Sequence, residues 1–310
     1  MDDTILLIAS GPNQHTPALQ RAFDLARAAE VPVHVCLFVH DPLIEGVGKL
    51  INPDLRHLAQ QQFLEAPQAW IEALVARWRA DGLRATSEAV WAPQAHDAIL
   101  ERVLALKPAL VIKDVGHEPL LRRFTYTALD WKLVRHCPAP LMLVHELSTH
   151  LPRQVLAAID TSAADSGPLN DLILRESLKL ADWTDAGVHV GHVFPYPPFS
   201  SSSYRALESA YFDTKSADRE AFKAFATSHH VSPESRHWAE GNPVGRLLEM
   251  TKDQGIDLLV LGSTYRTPLD RLLIGSTAET MLFQIPCDIL LVKPAEFAET
   301  LTQALHKRAA

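Results

Sequence analysis

The sequence has few cysteines, no long apolar run and no dense run of basic residues. Three cysteines occur among 310 residues, far apart and without a C-x-x-C pair, so we expect reduced thiols in or near the core. No apolar run approaches the roughly 20 residues that cross a bilayer, and the first residues lack the basic and apolar regions of a signal peptide. These absences predict a cytoplasmic protein that does not engage a membrane.

Charge and motif content exclude several further classes of function. The formal net charge is −8 and the basic residues are dispersed, which argues against nucleic acid as the main ligand. The sequence also lacks a Walker A loop and the G-x-G-x-x-G, G-x-S-x-G and H-E-x-x-H motifs. His229, His230 and His237 have no cysteine or carboxylate at metal-ligand spacing, so they are interpreted as exposed loop histidines and no protein metal site is predicted.

The second half of the chain repeats the first at an offset of about 150 residues. The matching blocks, in the same order in both halves, are 5–10 with 155–160, 33–35 with 188–190, 110–112 with 259–261, and 141–144 with 290–293. We therefore predict two domains of one kind, at residues 1–148 and 153–296, joined by a polar stretch that contains Pro152.

Within each half, short apolar runs alternate with longer segments of helical periodicity. This alternation predicts two Rossmann-like α/β domains, each with a mostly parallel five-stranded sheet and helices on both faces. Helices are predicted from Thr16-Pro17 onward, from Pro168 to about residue 181, and over 95–106 and 244–252. The segments 41–82 and 195–230 are too long for plain connections, and we expect them to cover a pocket or a partner surface.

The sharpest motif lies at residues 261–277, between the fourth strand of the second half and the helix that follows. Gly262 comes directly after the strand, where the lack of a Cβ lets the backbone approach a ligand closely. Gly275, Ser276 and Thr277 open the helix, and free N–H groups and hydroxyls at a helix start suit an anion such as phosphate.

This motif resembles the nucleotide-binding motif of the universal stress protein family, which is Gly, two residues, Gly, nine residues, then Gly-Ser or Gly-Thr. Gly262 and Gly275-Ser276 match, whereas Tyr265 replaces the second glycine. The resemblance spans essentially the whole chain twice. With 127–131 and Cys137-Pro138 of the first half, it is most similar to the tandem E-type subgroup and implies adenine nucleotide alpha hydrolase-like domains.

The resemblance implies a site for ATP or another adenine nucleotide, with accompanying Mg²⁺, in the second half. Asp160 would hold the ribose or the base, and Val193 and Leu261 would line the adenine. The full set of implied cofactor-binding residues is Asp160, Val193, Leu261, Gly262, Thr264, Gly275, Ser276 and Thr277. The Tyr265 ring either fills part of this site or moves aside and stacks on a base; the sequence leaves both open.

The first half has lost the motif. Lys113, Tyr126 and Thr127 stand where the second half has Gly262, Gly275 and Ser276. Ser10 also stands in place of Asp160. We therefore predict that the first copy does not hold ATP in the manner of the family.

The function predicted from these residues is a stress-response binding or regulatory protein rather than an enzyme. No catalytic residue is assigned, because neither a general base near Gly275 nor a nucleophile arrangement is visible; slow ATP hydrolysis stays open. The alternatives are a carrier of an apolar or other small ligand, an interaction scaffold with vestigial sites, and an adenosine-nucleotide hydrolase or transferase. Pairing of 141–144 with 290–292 would make the chain an intramolecular pseudo-dimer, and a further homodimer is open.

Overall fold

The computed structural model describes most of the chain as two compact units. It describes residues 3–12, 15–50, 53–115, 127–145, 150–162, 166–195, 204–263, 276–294 and 296–309. The N-terminal unit contains Met1–Leu151 together with Ala295–Ala310, and the C-terminal unit contains Pro152–Pro294. The last segment of the chain thus belongs to the first unit.

The N-terminal unit contains a parallel sheet of five strands in the order β3-β2-β1-β4-β5. Its strands are β1 Ile5–Ala9, β2 Val33–Val39, β3 Ala85–Trp91, β4 Leu110–Asp114 and β5 Leu141–Val144. Its helices are α1 Pro17–Ala28, α2 Pro42–Leu50, α3 Pro53–Ala80, α4 Ala95–Leu106, α5 Ala128–His136 and the final helix of the chain, Glu296–Ala309.

The C-terminal unit repeats this order of strands, as β8-β7-β6-β9-β10, and is also parallel. Its strands are β6 Gln154–Ala158, β7 Gly187–Pro195, β8 Arg236–Gly241, β9 Leu258–Gly262 and β10 Asp288–Val292. Its helices are α6 Gly167–Thr184, α7 Tyr204–Ser228, α8 Pro243–Asp253 and α9 Ser276–Gln284. The final helix of the chain, Glu296–Ala309, which belongs to the N-terminal unit, is named α10. The predicted fold class is confirmed in both halves.

Local sequence accounts for the main elements. The strands β1, β4, β9 and β10 consist mostly of apolar residues and are buried along almost their whole length, as strands covered on both faces require. Helix α1 starts where Thr16 accepts a hydrogen bond from the Leu19 amide, with Pro17 at its first position. Helix α8 starts in the same way, with Asn242 as its cap.

The order of strands reverses beside β1 and beside β6. Crossover connections between parallel strands are right-handed. The helices that follow β1 and β2 therefore lie on one face of the sheet, and the helices that follow β3 and β4 lie on the other face. At such a reversal the loops after two neighbouring strands diverge and leave a crevice at the carboxyl ends of the strands. In the C-terminal unit this position lies between β6 and β9.

The long segment after β2 is helical and contributes to the core. Its helix α3 buries Ile71, Val75 and Trp78. The Trp78 ring centroid lies 5.6 Å from that of Phe23 on α1. The described part of α3 is therefore a covering layer of the sheet, while a role for this segment over a pocket or a partner surface stays a prediction.

The structure shows the surroundings of the three cysteines and the character of the helices. Cys36 and Cys137 are buried, Cys287 is half-buried, and none is in a disulfide, which confirms the expected reduced thiols. Among the described residues, no helix combines the length and the apolar character that a bilayer crossing requires.

Candidate functional site

The sheet of the C-terminal unit brings four of the predicted site residues to one edge. Ala158 of β6 pairs with Leu261 of β9 on one side and with Gly191 of β7 on the other. Asp160, two residues past Ala158, and Val193, two residues past Gly191, therefore lie at the same carboxyl edge as Gly262. This edge is the crevice that the reversal of strand order creates.

Asp160 is exposed at the start of the loop between β6 and α6. Its carboxylate Oδ1 accepts a hydrogen bond from the Ser162 amide at 2.9 Å, which leaves the other oxygen of the carboxylate outside the described hydrogen bonds. Asn170 of α6 fixes the backbone of Asp160 from both sides: its Oδ1 accepts from the Asp160 amide at 3.0 Å and its Nδ2 donates to the Asp160 carbonyl at 2.7 Å. The loop thus holds a solvent-facing carboxylate in a defined position.

The remaining predicted site residues fall into two groups. Val193 and Leu261 are buried, at 8% and 5% exposure, so protein atoms cover both side chains in this structure. Thr277 lies half-buried in the first turn of α9. Thr264, Tyr265 and Gly275 lie outside the described residues, as does the side chain of Ser276. Their predicted contacts with phosphate stay predictions.

Gly262 has a packing role that the sequence did not reveal. A Cβ at this position would lie 2.8 Å from Leu169 Cδ2 and 2.9 Å from Ile173 Cδ1, both on α6. These distances are shorter than carbon atoms tolerate, so glycine here allows α6 to pack closely on the end of β9. The glycine is therefore explained by helix packing whether or not a phosphate approaches it.

The Gly262→Ala variant is expected to lower the free energy of unfolding by about 1–3 kcal/mol, the usual cost of overpacking a core. Leu169→Ala, which removes the nearest clashing atoms, should recover part of that loss in the double variant. Urea denaturation of the two single variants and the double variant measures the coupling. A strictly additive double variant would contradict the packing role.

A buried network beside Asp160 connects four elements, and its central residue is Asp218 of α7. His192 Nε2 lies 3.0 and 2.9 Å from the two carboxylate oxygens of Asp218. Trp238 Nε1 donates to Asp218 Oδ2 at 2.8 Å, and Ser162 Oγ donates to Oδ1 at 3.1 Å. His192 Nδ1 lies 3.1 Å from the Ile159 carbonyl, so the network reaches the strand end that carries Asp160.

The network also settles the position of His192. This side chain is 1% exposed and both of its ring nitrogens have hydrogen-bond partners, so His192 is a core histidine in this structure. Sequence reasoning missed its partner Asp218, because nothing in the spacing of α7 distinguishes this aspartate from the exposed acidic residues of the same helix. A buried carboxylate opposite a histidine can be recognised only once the fold is known.

Outside the buried network, polar and aromatic side chains cover the edge of β8. Tyr211 and Lys215 of α7 both donate hydrogen bonds to the Glu240 carboxylate. The hydrogen bond from Lys215, and to a smaller extent the hydrogen bond from Tyr211, hold the pKa of Glu240 below its usual value. The Lys215 ammonium also lies 5.9 Å from the centroid of the Trp238 ring, within the range of a cation–π contact. Helix α7 is thus held to β8 by charge as well as by packing.

The equivalent place in the N-terminal unit is occupied by an internal ion pair. The strand registers correct the sequence match at this point: Lys113 pairs with Ile8 as Leu261 pairs with Ala158, so Lys113 corresponds to Leu261, and Asp114 corresponds to Gly262. Lys113 places its Nζ 2.6 Å from Asp130 Oδ1. Both side chains are buried, at 8% and 0% exposure. The other carboxylate oxygen of Asp130 accepts from the amide and the hydroxyl of Thr127, the residue that caps α5. A carboxylate of the chain therefore occupies the start of the helix that corresponds to α9.

A second carboxylate occupies the start of α1. Asp114 Oδ1 accepts a hydrogen bond from the Ala18 amide at 2.8 Å, and its Oδ2 accepts from Ser10 Oγ at 2.9 Å. In the C-terminal unit Gly262 stands at this position, since Asp114 pairs with Val144 of β5 as Gly262 pairs with Val292 of β10. The two units thus differ beside these helix starts: the first has an internal carboxylate next to α1, and the second has a glycine next to α6.

One sequence interpretation is wrong. His237 is not an exposed loop histidine but lies half-buried in β8, with its Nε2 2.9 Å from His189 Nδ1 of β7. Gln154 Oε1 lies 3.0 Å from the other ring nitrogen of His189. Burial lowers the pKa of both histidines, and the neighbouring His189 lowers that of His237 further. The sequence does not reveal strand β8, because its residues are all half-buried and do not alternate between apolar and polar side chains.

Known proteins share this architecture over almost their whole length. The chain is 26% identical to Universal stress protein E of Salmonella typhi over 303 residues, which cover 94% of this chain and 95% of that protein. It is 26% identical to the Universal stress protein E homolog of Haemophilus influenzae over 306 residues, 94% and 97% of the two chains. These similarities confirm the resemblance on which the sequence interpretation rests.

Solved structures show the same fold. A crystal structure of a putative universal stress protein from Pseudomonas aeruginosa UCBPP-PA14 matches with a TM-score of 0.74 and 23% identity, covering 98% of this chain and 97% of that one. The sequence model described as the Universal stress protein family matches residues 1–145 and again residues 153–293. The chain therefore belongs to the universal stress protein family and carries two domains of that family in tandem.

Proposed function

We propose that the C-terminal unit binds ATP or another adenine nucleotide and that this binding serves the stress-response role that family membership supports. The observation that carries the proposal is the contrast between the two copies at the carboxyl edge of the sheet. In the N-terminal unit Lys113 fills the edge, and Asp114 and Asp130 occupy the helix starts. In the C-terminal unit Leu261 and Gly262 stand at the positions of Lys113 and Asp114, and Asp160 presents an exposed carboxylate.

The difference between the two units at these helix starts has an electrostatic consequence. A helix start attracts negative charge, because its first amide groups point outward and the helix dipole is positive there. The N-terminal unit satisfies this attraction with carboxylates of its own, so phosphate would have to displace them. Beside α6 the end of β9 carries Gly262 where the N-terminal unit has Asp114, so this strand supplies no carboxylate to the helix start, which favours a bound anion. Asp160 then suits a neutral, hydroxyl-bearing part of the same ligand, such as ribose.

In this proposal the chain binds and responds rather than catalyses, and it acts in the cytoplasm, where adenine nucleotides are available. Mg²⁺ would accompany the phosphates. The pocket walls next to the base would come from Val193 and Leu261, which are covered in the present structure. A nucleotide would therefore have to displace the groups that cover them.

The Asp160→Ala variant is expected to bind ATP about 10- to 100-fold more weakly than the parent protein, since a hydrogen bond to a charged group contributes about 1.5–3 kcal/mol. The matched control is Ser10→Ala, the equivalent position in the N-terminal unit, which should leave the affinity unchanged. Isothermal titration with ATP and Mg²⁺ measures both, and native mass spectrometry of protein purified without nucleotide should show one site per chain.

Two results would count against the nucleotide site. One is a parent protein that neither carries nucleotide nor releases heat on titration; the other is an equal loss of affinity in Asp160→Ala and Ser10→Ala. Tyr265→Gly restores the glycine of the family motif and separates the two readings of that residue. Stronger binding would show that the ring obstructs the site, and weaker binding that it stacks on the base.

A further inference from the structure

Three side chains of different ligand chemistry converge on the outer strands of the N-terminal unit, away from the proposed nucleotide site. They are His34 and Cys36 of β2 and Glu88 of β3. Their ligand atoms, a ring nitrogen, a sulfur and a carboxylate oxygen, all lie within 4.8 Å of one another. His34 and Cys36 point to the same face because they are two residues apart in a strand, and Glu88 pairs with Cys36 across the sheet.

The carboxylate of Glu88 lies at the centre of this cluster. Its Oε1 is 3.1 Å from His34 Nε2 and 3.1 Å from Cys36 Sγ. Arg102 of α4 binds the same carboxylate from the other side, with its Nε 2.6 Å from Oε1 and its Nη2 2.7 Å from Oε2. Nitrogen, sulfur and oxygen atoms therefore meet around one small volume.

We propose that His34, Cys36 and Glu88 form a binding site for Zn²⁺ in the N-terminal unit. Zn²⁺ takes imidazole, thiolate and carboxylate ligands in tetrahedral geometry, and sites with three protein ligands keep a fourth position for water or another small ligand. The mixed set disfavours Mg²⁺ and Ca²⁺, which bind oxygen ligands almost exclusively.

The surroundings of His34 match those of a metal ligand. Its other ring nitrogen, Nδ1, lies 2.7 Å from Thr86 Oγ1 on β3. When this nitrogen donates its hydrogen to Thr86, Nε2 is left as a lone-pair donor directed at Glu88 and Cys36. Metal-binding histidines are usually oriented by such a second hydrogen bond, which fixes both the ring and the tautomer.

Zn²⁺ binding requires two changes in the cluster. The Cys36 thiol must lose its proton to solvent as the zinc–sulfur bond forms, because thiolate is the form that binds metals. Burial, followed by the hydrogen bond with Glu88, raises the pKa of this thiol, so it is protonated until a metal binds. Arg102 must also release part of the Glu88 carboxylate, which its partly exposed side chain allows, at 35% exposure. The arginine is therefore a competitor of the metal.

Access to the site is provided by the surface on which it lies. His34 and Thr86 line a surface cavity of about 450 Å³ together with Arg79 and Arg84. The cavity opens at the amino-terminal edge of the sheet of the N-terminal unit. A metal could thus reach His34 without any change in the core.

The equivalent position in the C-terminal unit serves as an internal comparison. His189 there corresponds to His34, but Gly191 stands where the N-terminal unit has Cys36, and His237 stands opposite it where Glu88 would be. That cluster offers imidazoles, and the sulfur that lies nearest to Gly191 is the thioether of Met250, which cannot form a thiolate. A signal that depends on a thiolate ligand therefore reports on the N-terminal unit alone.

The test is titration of the metal-free full chain with Co²⁺, which takes the place of Zn²⁺ and gives a sulfur-to-metal charge-transfer band when a thiolate binds. We expect this band in the parent protein and in Cys287→Ser, and its loss in Cys36→Ser. Thr86→Val should weaken Co²⁺ binding by about 10- to 100-fold, as expected for a residue that orients a ligand. Zn²⁺ should then displace Co²⁺ and abolish the band, since it binds more tightly in the usual order.

Glu88→Gln and Arg102→Gln make the test independent of the folding of Cys36→Ser. Glu88→Gln removes a metal ligand and should weaken Co²⁺ binding by at least about tenfold, which is the smallest effect expected when a residue that only orients a ligand is lost. Arg102→Gln removes the competing guanidinium and should strengthen Co²⁺ binding. Circular dichroism checks that each variant is folded. Absence of the band in the parent protein, its persistence in Cys36→Ser, or unchanged affinity in Glu88→Gln would each overturn the proposal.

Discussion

Replacing Lys113 by methionine is expected to lower the free energy of unfolding of the N-terminal unit by about 3–5 kcal/mol, the usual cost of leaving one member of a buried ion pair without its partner. The Asp130 carboxylate is fully buried and would keep only the hydrogen bonds from Thr127 as compensation among those described. Methionine fills a similar volume, so the loss would report on charge rather than on a cavity. Urea denaturation measures the difference.

The matched control is Lys223→Met, which removes a lysine from an exposed pair with Glu220. Exposed pairs contribute about 0–1 kcal/mol, so this variant should unfold close to the parent. Hydrogen exchange of the β4 and β5 amides assigns the loss in Lys113→Met to the N-terminal unit. Equal stabilities of the two lysine variants would show that the buried pair is not a source of stability.

Asp130→Asn completes a double-mutant cycle. The amide can still accept from Thr127, whereas it carries no charge that requires Lys113. Lys113→Met combined with Asp130→Asn should therefore be more stable than Lys113→Met alone, because no uncompensated charge stays buried. Such a recovery would show that Lys113 stabilises the N-terminal unit by neutralising the Asp130 carboxylate, at the position where the other copy has Leu261.

The fold could be predicted from the sequence because it repeats local signals. The predicted helix over 95–106 coincides with α4, and the prediction over 244–252 lies within α8, since both have apolar faces at helical spacing and clear starts. The buried central strands were equally readable as apolar runs. Strand β8 was not, because its half-buried residues include His237 and Glu240 and show no alternation.

The candidate sites could be predicted only in part. The position of Asp160 and Gly262 at the carboxyl edge follows from the sequence, because Gly262 ends β9 and Asp160 lies two residues past β6, and both strands are recognisable apolar runs. The packing of Gly262 against α6 could not be foreseen, since it depends on the distance between a helix and a strand. The convergence of His34 and Cys36 with Glu88 likewise depends on the register of two strands that lie far apart in the sequence.

Asp218→Ala is expected to produce the second large effect, a loss of about 3–5 kcal/mol in the free energy of unfolding of the C-terminal unit, since each buried donor left without its acceptor costs about 1–3 kcal/mol. His192, Trp238 and Ser162 would lose their common acceptor together. Two of these donors belong to buried or half-buried side chains on neighbouring strands, so water cannot replace the carboxylate without opening the structure. Thermal and urea denaturation measure the loss.

Asp213→Ala is the control, because Asp213 lies on the same helix α7 and is exposed. The free energy of unfolding of Asp213→Ala should stay within about 0.5 kcal/mol of that of the parent protein. ATP titration then separates positioning from binding: Asp218→Ala should lose affinity together with stability, since Ser162 and the Ile159 carbonyl connect the network to the Asp160 loop. Asp160→Ala should lose affinity with little change in stability. If Asp218→Ala were as stable as Asp213→Ala, the network would not be what holds this loop in place.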